Sequence, residues 1–170
     1  MDTLPERWLC EPVNDVPFLL QPAAHALLQA TDEIKEGLKD FPAGLLWERP
    51  AGAASPGFHL LHIAGVLNRM GSYAKGEALS KEQFAYLKEE TEPKALTSDQ
   101  LVTGVEEAVQ QILGQLKATE ESTLTERRTV GRKALPSTVI GLLFHAAEHT
   151  MRHTGQLLVT VKVLKMSESK

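Results

Sequence analysis

The chain has 170 residues, of which 42% are hydrophobic and 24% are charged, an average balance for a globular protein. Its formal net charge of −4 argues against a nucleic-acid-binding protein, because such proteins usually carry a basic face. No apolar run approaches the roughly 18 residues of a membrane helix. The acidic N-terminus is unlike a secretory signal. The single cysteine, Cys10, excludes an internal disulfide. These features predict one cytoplasmic domain over residues 1–170, with neither nucleic acid nor membrane as a partner.

Hydrophobic residues recur three and four positions apart in four long segments, as they do along one face of a helix. An irregular arm with three prolines occupies residues 1–20, and the first long helix is predicted over about Pro22–Asp40. After a loop rich in glycine, alanine and proline, the second long helix is predicted over Pro56–Gly76, with Ser55 as its N-cap.

Two capping boxes mark the next helices, because a serine or threonine followed three residues later by glutamine satisfies free N–H groups at a helix start. Ser80 with Gln83 predicts a short helix within the charged segment 77–96. Thr97 with Gln100 predicts the start of the third long helix.

The last part of the chain is predicted to hold a polar connection over residues 119–134 with room for a brief extended stretch, a fourth long helix over about Pro136–Leu164, and a frayed tail over 166–170. Four helices that each carry one apolar stripe bury those stripes by packing together. We therefore predict an all-α fold, a four-helix bundle over about residues 22–164. No segment alternates with period two over enough residues to require a sheet.

Five of the six histidines fall in two tight groups: His59 and His62 in the second long helix, and His145, His149 and His153 in the fourth. Helical residues four apart lie one turn apart on the same face. His149 and His153 therefore have the spacing of a helical His-x-x-x-His metal site, and His145 has the same spacing from His149.

The predicted faces of the fourth helix separate these two pairs. His149 and His153 lie on a core stripe that continues through Gln156 to Val163, whereas His145 lies on a neighbouring stripe of polar and small residues. Imidazoles inside a bundle need polar partners, and a metal ion supplies one for each. The alternative is a pair of core histidines that hydrogen-bond to other side chains.

The second helix offers one further ligand, and three imidazoles with open positions are typical of reactive metal sites. At about 100° per residue, His59 lies within the apolar face of this helix, and His62 lies at its edge beside Phe58. The pattern by itself leaves either histidine as the third ligand.

The element Ser-x-Gly-Phe-His-Leu-x-His-Ile-Ala-Gly over residues 55–65 and the element Glu-His-x-x-x-His-x-Gly-Gln over residues 148–156 resemble those of the DinB-like (YfiT-like) superfamily. The resemblance implies an up-down-down-up four-helix bundle that is often dimeric. It also implies a divalent metal ion, zinc or nickel, held by His62, His149 and His153. Characterised members of the superfamily act with a low-molecular-weight thiol, as S-transferases or as an isomerase.

From the residues and the resemblance we expect a divalent-metal-dependent enzyme, a thiol S-transferase or a hydrolase, with a small-molecule substrate and a homodimeric assembly. One alternative is a bundle whose metal is structural or sensory, with His59 or His145 closing the site as a fourth ligand. Another is an interaction module whose histidines bind no metal.

Three charged residues near the histidines have less specific patterns. Glu148 and Arg152 flank the expected ligands of the fourth helix, and we expect them to pair with charges on neighbouring helices. Arg69, further along the second helix, is expected to be structural. No catalytic residue is assigned from the sequence.

Overall fold

The computed structural model of the protein describes residues 5–168. The parts of the predicted arm and tail at residues 1–4 and 169–170 lie outside this range. The helices and strands follow one another as α1 (Gln21–Leu38), α2 (Pro56–Ala74), α3 (Lys81–Glu89), α4 (Ser98–Ala118), β1 (Arg127–Val130), β2 (Leu135–Thr138) and α5 (Val139–Glu168).

Local capping signals in the sequence fix where three of these helices begin. The Ser55 hydroxyl accepts a hydrogen bond from a backbone N–H in the first turn of α2. Both capping boxes form, Ser80 with Gln83 at the start of α3 and Thr97 with Gln100 at the start of α4. Each such cap contributes about 1 kcal/mol to helix stability.

Two of the long helices are followed by a residue with a left-handed backbone. Gly76, the last residue of the predicted second helix, has φ +78° just beyond α2. α1 ends at Leu38, two residues before the predicted end, because Lys39 leaves the helix with ψ 128°, and Asp40 follows with φ +54°. At the other end of the chain, α5 continues to Glu168, beyond the predicted end at Leu164.

The four long helices share one apolar core, because α1 and α2 each pack against both α4 and α5. Fully buried side chains reach this core from all four helices: Leu27 and Ile34 from α1, Ile63 and Leu67 from α2, Val105 and Val109 from α4, and Leu143 and Leu157 from α5. Burial of one such side chain stabilises the fold by about 1.5–3 kcal/mol. The protein is therefore mainly helical, as predicted, while the up-down-down-up order of its helices stays a prediction.

The segment between α4 and α5 departs from the all-α prediction. β1 and β2 pair as an antiparallel hairpin, with Arg127 opposite Thr138 and Thr129 opposite Pro136. Strands of four residues are too short for an alternating pattern to stand out, and a proline is tolerated because both strands of this sheet are edges. α5 consequently begins at Val139, after the hairpin, and not at Pro136.

The N-terminal arm is irregular apart from two single-turn 3-10 helices, and it is tied to α1. Arg7 forms an ion pair of 2.6 Å with Asp32 of α1, and the Gln21 side-chain amide donates to the carbonyls of Val13 and Val16. Over residues 5–168, no helix is both long enough and apolar enough to cross a bilayer.

Candidate metal centre

The two histidine groups of the sequence meet where α2 packs along α5. The His62 ring lies near both His149 and His153, at centroid distances of 5.2 and 4.5 Å, and the two α5 rings are 4.6 Å apart. One ring nitrogen from each of the three lies within 4.8 Å of the other two. This arrangement could hold one metal ion between three imidazoles.

The α5 histidines lie at the rim of the helix interface and not on its most buried line. The predicted core stripe is wrong at Gln156 and Val163, which are exposed, although Thr160 between them is buried. α5 packs against both α1 and α2, so its buried face is centred on Thr150 and Thr154. Both threonine hydroxyls donate to the carbonyl four residues earlier, which satisfies them inside the core.

The second helix separates its two histidines as the pattern predicts. His59 is buried, with 3% of its surface exposed, whereas His62 is half-buried at the edge, where it stacks on Phe58. Nδ1 of His59 lies 3.0 Å from Nδ1 of His153, so His59 contacts one member of the group of three. Among the described side chains spaced to share one ion, His62 is included and His59 is not.

A buried carboxylate lies on the far side of His62 from the α5 rings. Glu90, 2% exposed, has one oxygen 2.8 Å from Nδ1 of His62, and its other oxygen accepts a hydrogen bond from Arg69. Nε2 of His62 faces Nε2 of His149 at 3.0 Å. Arg69 is therefore structural, as expected, and its partner is the carboxylate that contacts a candidate ligand.

Glu90 is not among the predicted site residues, because it lies in an unremarkable acidic run after α3. Gly65, in the second-helix element, is a sequence signal for a group packed closely against α2, because glycine has no side chain to block the Glu90 carboxylate. A Cβ at this position would collide with Glu90, with Arg69 and with the Tyr86 ring. A glycine in the middle of a helix costs about 1 kcal/mol relative to alanine, which points to a close approach of this kind.

The charged residues beside the α5 histidines pair within their own helix, so the expected pairing with neighbouring helices is wrong. Glu148 accepts hydrogen bonds from Arg152, one turn further on, and lies 3.6 Å from His145. All three side chains are at least one-third exposed. Residues three and four apart on a helix are neighbours on its surface, so these side chains pair with one another and not with another helix. His145, Glu148 and His149 form a second group spaced to share an ion.

Burial keeps the rings of His59, His149 and His153 neutral near pH 7. Desolvation, with the nearby His62 as the next cause, lowers the pKa of His59 and of His149 to about 4 and that of His153 to about 3. Neutral imidazoles have a free lone pair, which is the form that binds metal ions. Nδ1 of His149 is buried and has no hydrogen-bond partner among residues 5–168.

A groove of about 710 Å³ opens beside this cluster. Its walls come from the loop before α2 and from the outer face of α5, and they are formed by Ala53, Ala54, His59, Met151, Arg152, Gly155, Gln156, Val159 and Thr160. His59, which contacts His153, is part of the wall, whereas His62, His149 and His153 are not. The groove thus offers space for a small molecule beside His59, one residue away from the candidate ligands.

Comparison with known proteins agrees with this architecture. The chain is similar to a Streptococcus pneumoniae protein whose crystal structure comes from a structural genomics consortium, with 15% identity, a TM-score of 0.64 and coverage of 85% of this chain and 88% of that chain. At this identity the likeness shows the fold alone. No protein with a curated description matches the chain. A sequence profile of the DinB superfamily matches residues 23–157, from α1 into α5 and across all the clustered histidines, and the chain therefore belongs to the DinB superfamily.

Proposed function

We propose that this protein binds a divalent metal ion, zinc or nickel, through His62, His149 and His153 and acts on a small molecule as a metal-dependent transferase or hydrolase. The observation that carries the proposal is the approach of one nitrogen from each of three imidazoles to within 4.8 Å of the others. Membership of the DinB superfamily, whose members are metal-binding helical proteins, supports it.

The chemistry of the donor set fits a cation. Nε2 of His62 and Nε2 of His149 face each other at 3.0 Å, and burial keeps the two α5 rings neutral. A hydrogen bond between these two Nε2 atoms needs a proton on one of them, whereas a metal ion binds both of them as bare nitrogens. A cation between the rings would satisfy all three lone pairs at once.

The residues around the cluster would have different roles in such a site. A divalent ion held by three neutral imidazoles would keep its full charge and lower the pKa of a thiol or water that binds to it. A Glu90 oxygen contacts Nδ1 of His62, and Nδ1 of His59 contacts Nδ1 of His153. The groove beside His59 would supply apolar walls for the body of a substrate, and an anionic group there would compete with Glu148 for Arg152.

We further propose that the substrate chemistry is thiol-dependent S-transfer, with an added thiol as the nucleophile. The resemblance to characterised members supports this choice. The one cysteine of the chain, Cys10, is exposed in the arm that packs on α1. A separate low-molecular-weight thiol would therefore supply the sulfur, because a thiolate is the strong nucleophile such transfer needs. The same resemblance leads us to propose a cytoplasmic homodimer with up-down-down-up helices.

A non-catalytic metal site is the second candidate, and one observation favours it. His145, Glu148 and His149 are also spaced to share an ion, so an additional ligand from this group could close the coordination sphere. Closed sites with four protein ligands are structural, whereas catalytic sites keep a position for water or substrate.

A screen of thiols with electrophiles tests the proposed function. Protein loaded with zinc or nickel is expected to consume thiol faster than the uncatalysed reaction, and His149→Ala, treated in the same way, is not. X-ray absorption on the loaded protein counts the ligands in parallel. Four protein ligands with no exchangeable water, together with no thiol consumption, would contradict the enzyme and support the closed site.

A further inference from the structure

We propose that Glu90 is a positioning residue that fixes the tautomer of His62, and thereby directs the lone pair of Nε2 toward the two α5 histidines. The tautomer can be tested on the protein without metal. The consequence for metal affinity rests on the proposed function.

The position of the proton follows from the partners of the carboxylate. One Glu90 oxygen accepts a hydrogen bond from the Arg69 guanidinium, and the other lies 2.8 Å from Nδ1 of His62. An ionised carboxylate can only accept hydrogen bonds, so the proton between Glu90 and His62 belongs to the ring. In the neutral form of the ring, which is the form that binds a metal ion, this is the single ring proton. Nε2 is bare in that form, and it is the atom that faces His149 at 3.0 Å.

Burial makes the other tautomer costly. The side chains of Glu90 and Arg69 are 2% and 7% exposed, so water does not screen them. If the proton moved to Nε2, the lone pair of Nδ1 would face a carboxylate oxygen, and two acceptors would meet without a hydrogen between them. A hydrogen bond to a charged group in such surroundings is roughly twice as strong as one between neutral groups, and losing it is correspondingly expensive.

The fold delivers Glu90 to this position through the close docking of α3 on α2. Glu90 caps the C-terminus of α3, where its N–H donates to the Tyr86 carbonyl, and the Tyr86 hydroxyl donates to the Leu61 carbonyl of α2 at 3.1 Å. Gly65 leaves the space that the carboxylate and Arg69 fill. Glu90 belongs to neither group of described side chains spaced to share an ion, so it acts through His62.

The other two candidate ligands have no comparable control. Nδ1 of His153 faces Nδ1 of His59, and either ring can donate in that contact. Nδ1 of His149 is buried without a hydrogen-bond partner among the described residues. Of the three rings, His62 is thus the one whose proton is dictated by a charged partner, and its metal-facing nitrogen is prepared before any ion arrives.

The double variant Arg69→Met with Glu90→Gln tests the proposal. It removes both buried charges together, so neither is left without its partner. A glutamine amide can either accept from Nδ1–H or donate to a bare Nδ1, and therefore permits both tautomers. Glu89→Gln is the matched control, because Glu89 is exposed on the same helix and pairs with Lys94.

The first readout is the ¹⁵N chemical shifts of the His62 ring in metal-free protein at pH 8. The wild type and Glu89→Gln are expected to show Nδ1 protonated and Nε2 bare, and the double variant is expected to show shifts averaged between the tautomers. A wild-type ring with its proton on Nε2 would overturn the proposal without the need for any variant, so the test survives a variant that fails to fold.

The second readout is zinc affinity by competition with a chelator. Loss of a residue that orients a metal-bound histidine typically weakens binding about 10–100-fold, which is the loss expected for the folded double variant, with Glu89→Gln unchanged. Wild-type affinity in the double variant would overturn the positioning role. A wild type that binds neither zinc nor nickel would instead overturn the proposed function, and the ring shifts would still decide the tautomer.

Discussion

The two helices that carry the clustered histidines use them differently. On α5, His149 and His153 are four residues apart, and both lie half-buried on the same rim. On α2, His59 and His62 are three residues apart, which places one in the core and the other at the edge. The spacing of four on α5 puts both rings on one rim, whereas the two histidines of α2 lie on either side of the boundary between the core and the edge.

The contacts behind the rings differ in the same way. α2 presents His62 against a buried carboxylate that is held in turn by Arg69. α5 presents His149 with a buried Nδ1 that has no partner among residues 5–168. A charged hydrogen-bond network thus positions the His62 ring on α2, whereas the spacing of four along the helix positions the His149 and His153 rings on α5. Substitutions can test each side separately.

The largest expected effect comes from the α5 side. His149→Ala should abolish stoichiometric binding of zinc or nickel, because it removes one of three proposed ligands from a half-buried position. The helical circular dichroism spectrum should stay unchanged. Elemental analysis of dialysed protein measures the loss, and the exposed His145, replaced in the same way, is the matched control. Unaltered metal content in His149→Ala would count against the site.

A paired substitution on α2 separates the ligand from the core histidine. His62→Ala should lose tight metal binding while the fold keeps most of its stability. His59→Ala should retain an ion with reduced affinity, and should lower the free energy of unfolding by about 2 kcal/mol because a nearly fully buried ring is removed. Urea unfolding and metal competition measure the two effects. The reverse result, with metal lost only in His59→Ala, would make His59 the α2 ligand.

A methyl group at Gly65 tests the docking of α3. Gly65→Ala would push into Glu90, Arg69 and Tyr86, and we expect a loss of about 1–3 kcal/mol in unfolding free energy together with weaker metal binding. Gly114→Ala is the control, since this helical glycine has nothing within 4 Å of an added Cβ, and it should gain up to about 1 kcal/mol. Equal gains from both substitutions would show that the space at Gly65 is not needed.

A pH dependence of the metal-free protein tests the burial of His59. Burial lowers the pKa of His59 from 6.5 to about 4 in the folded state. Below pH 6.5 the His59 imidazole is protonated in the unfolded chain but stays neutral in the folded chain. The free energy of unfolding therefore falls as the pH drops toward 4. His59→Gln should make this fall shallower in chelator-treated protein. An identical slope in the two proteins would contradict a buried neutral His59.

Much of the fold could be predicted from local signals in the sequence. The caps at Ser55, Ser80 and Thr97 and the glycine stop at Gly76 work through atoms within a few residues, so they can be recognised without tertiary structure. The hairpin before α5 could not be predicted, because strands of four residues give too short a pattern.

The candidate site divides along the same line. The pairing of His149 with His153 follows from helix geometry within one element, and the place of His62 at the edge of α2 follows from its own helical pattern. Glu90 lies 28 residues from His62 in the chain, and only the docking of α3 joins them. The buried face of α5 was misjudged at Gln156 for a similar reason, since it depends on which two helices α5 contacts.

The decisive measurement is elemental analysis of untagged protein that has been purified without added metal. We expect stoichiometric zinc or nickel in the wild type and its loss in His62→Ala and in His149→Ala. Protein that contains no divalent metal, and whose melting temperature and spectra do not change when zinc or nickel is added, would contradict it.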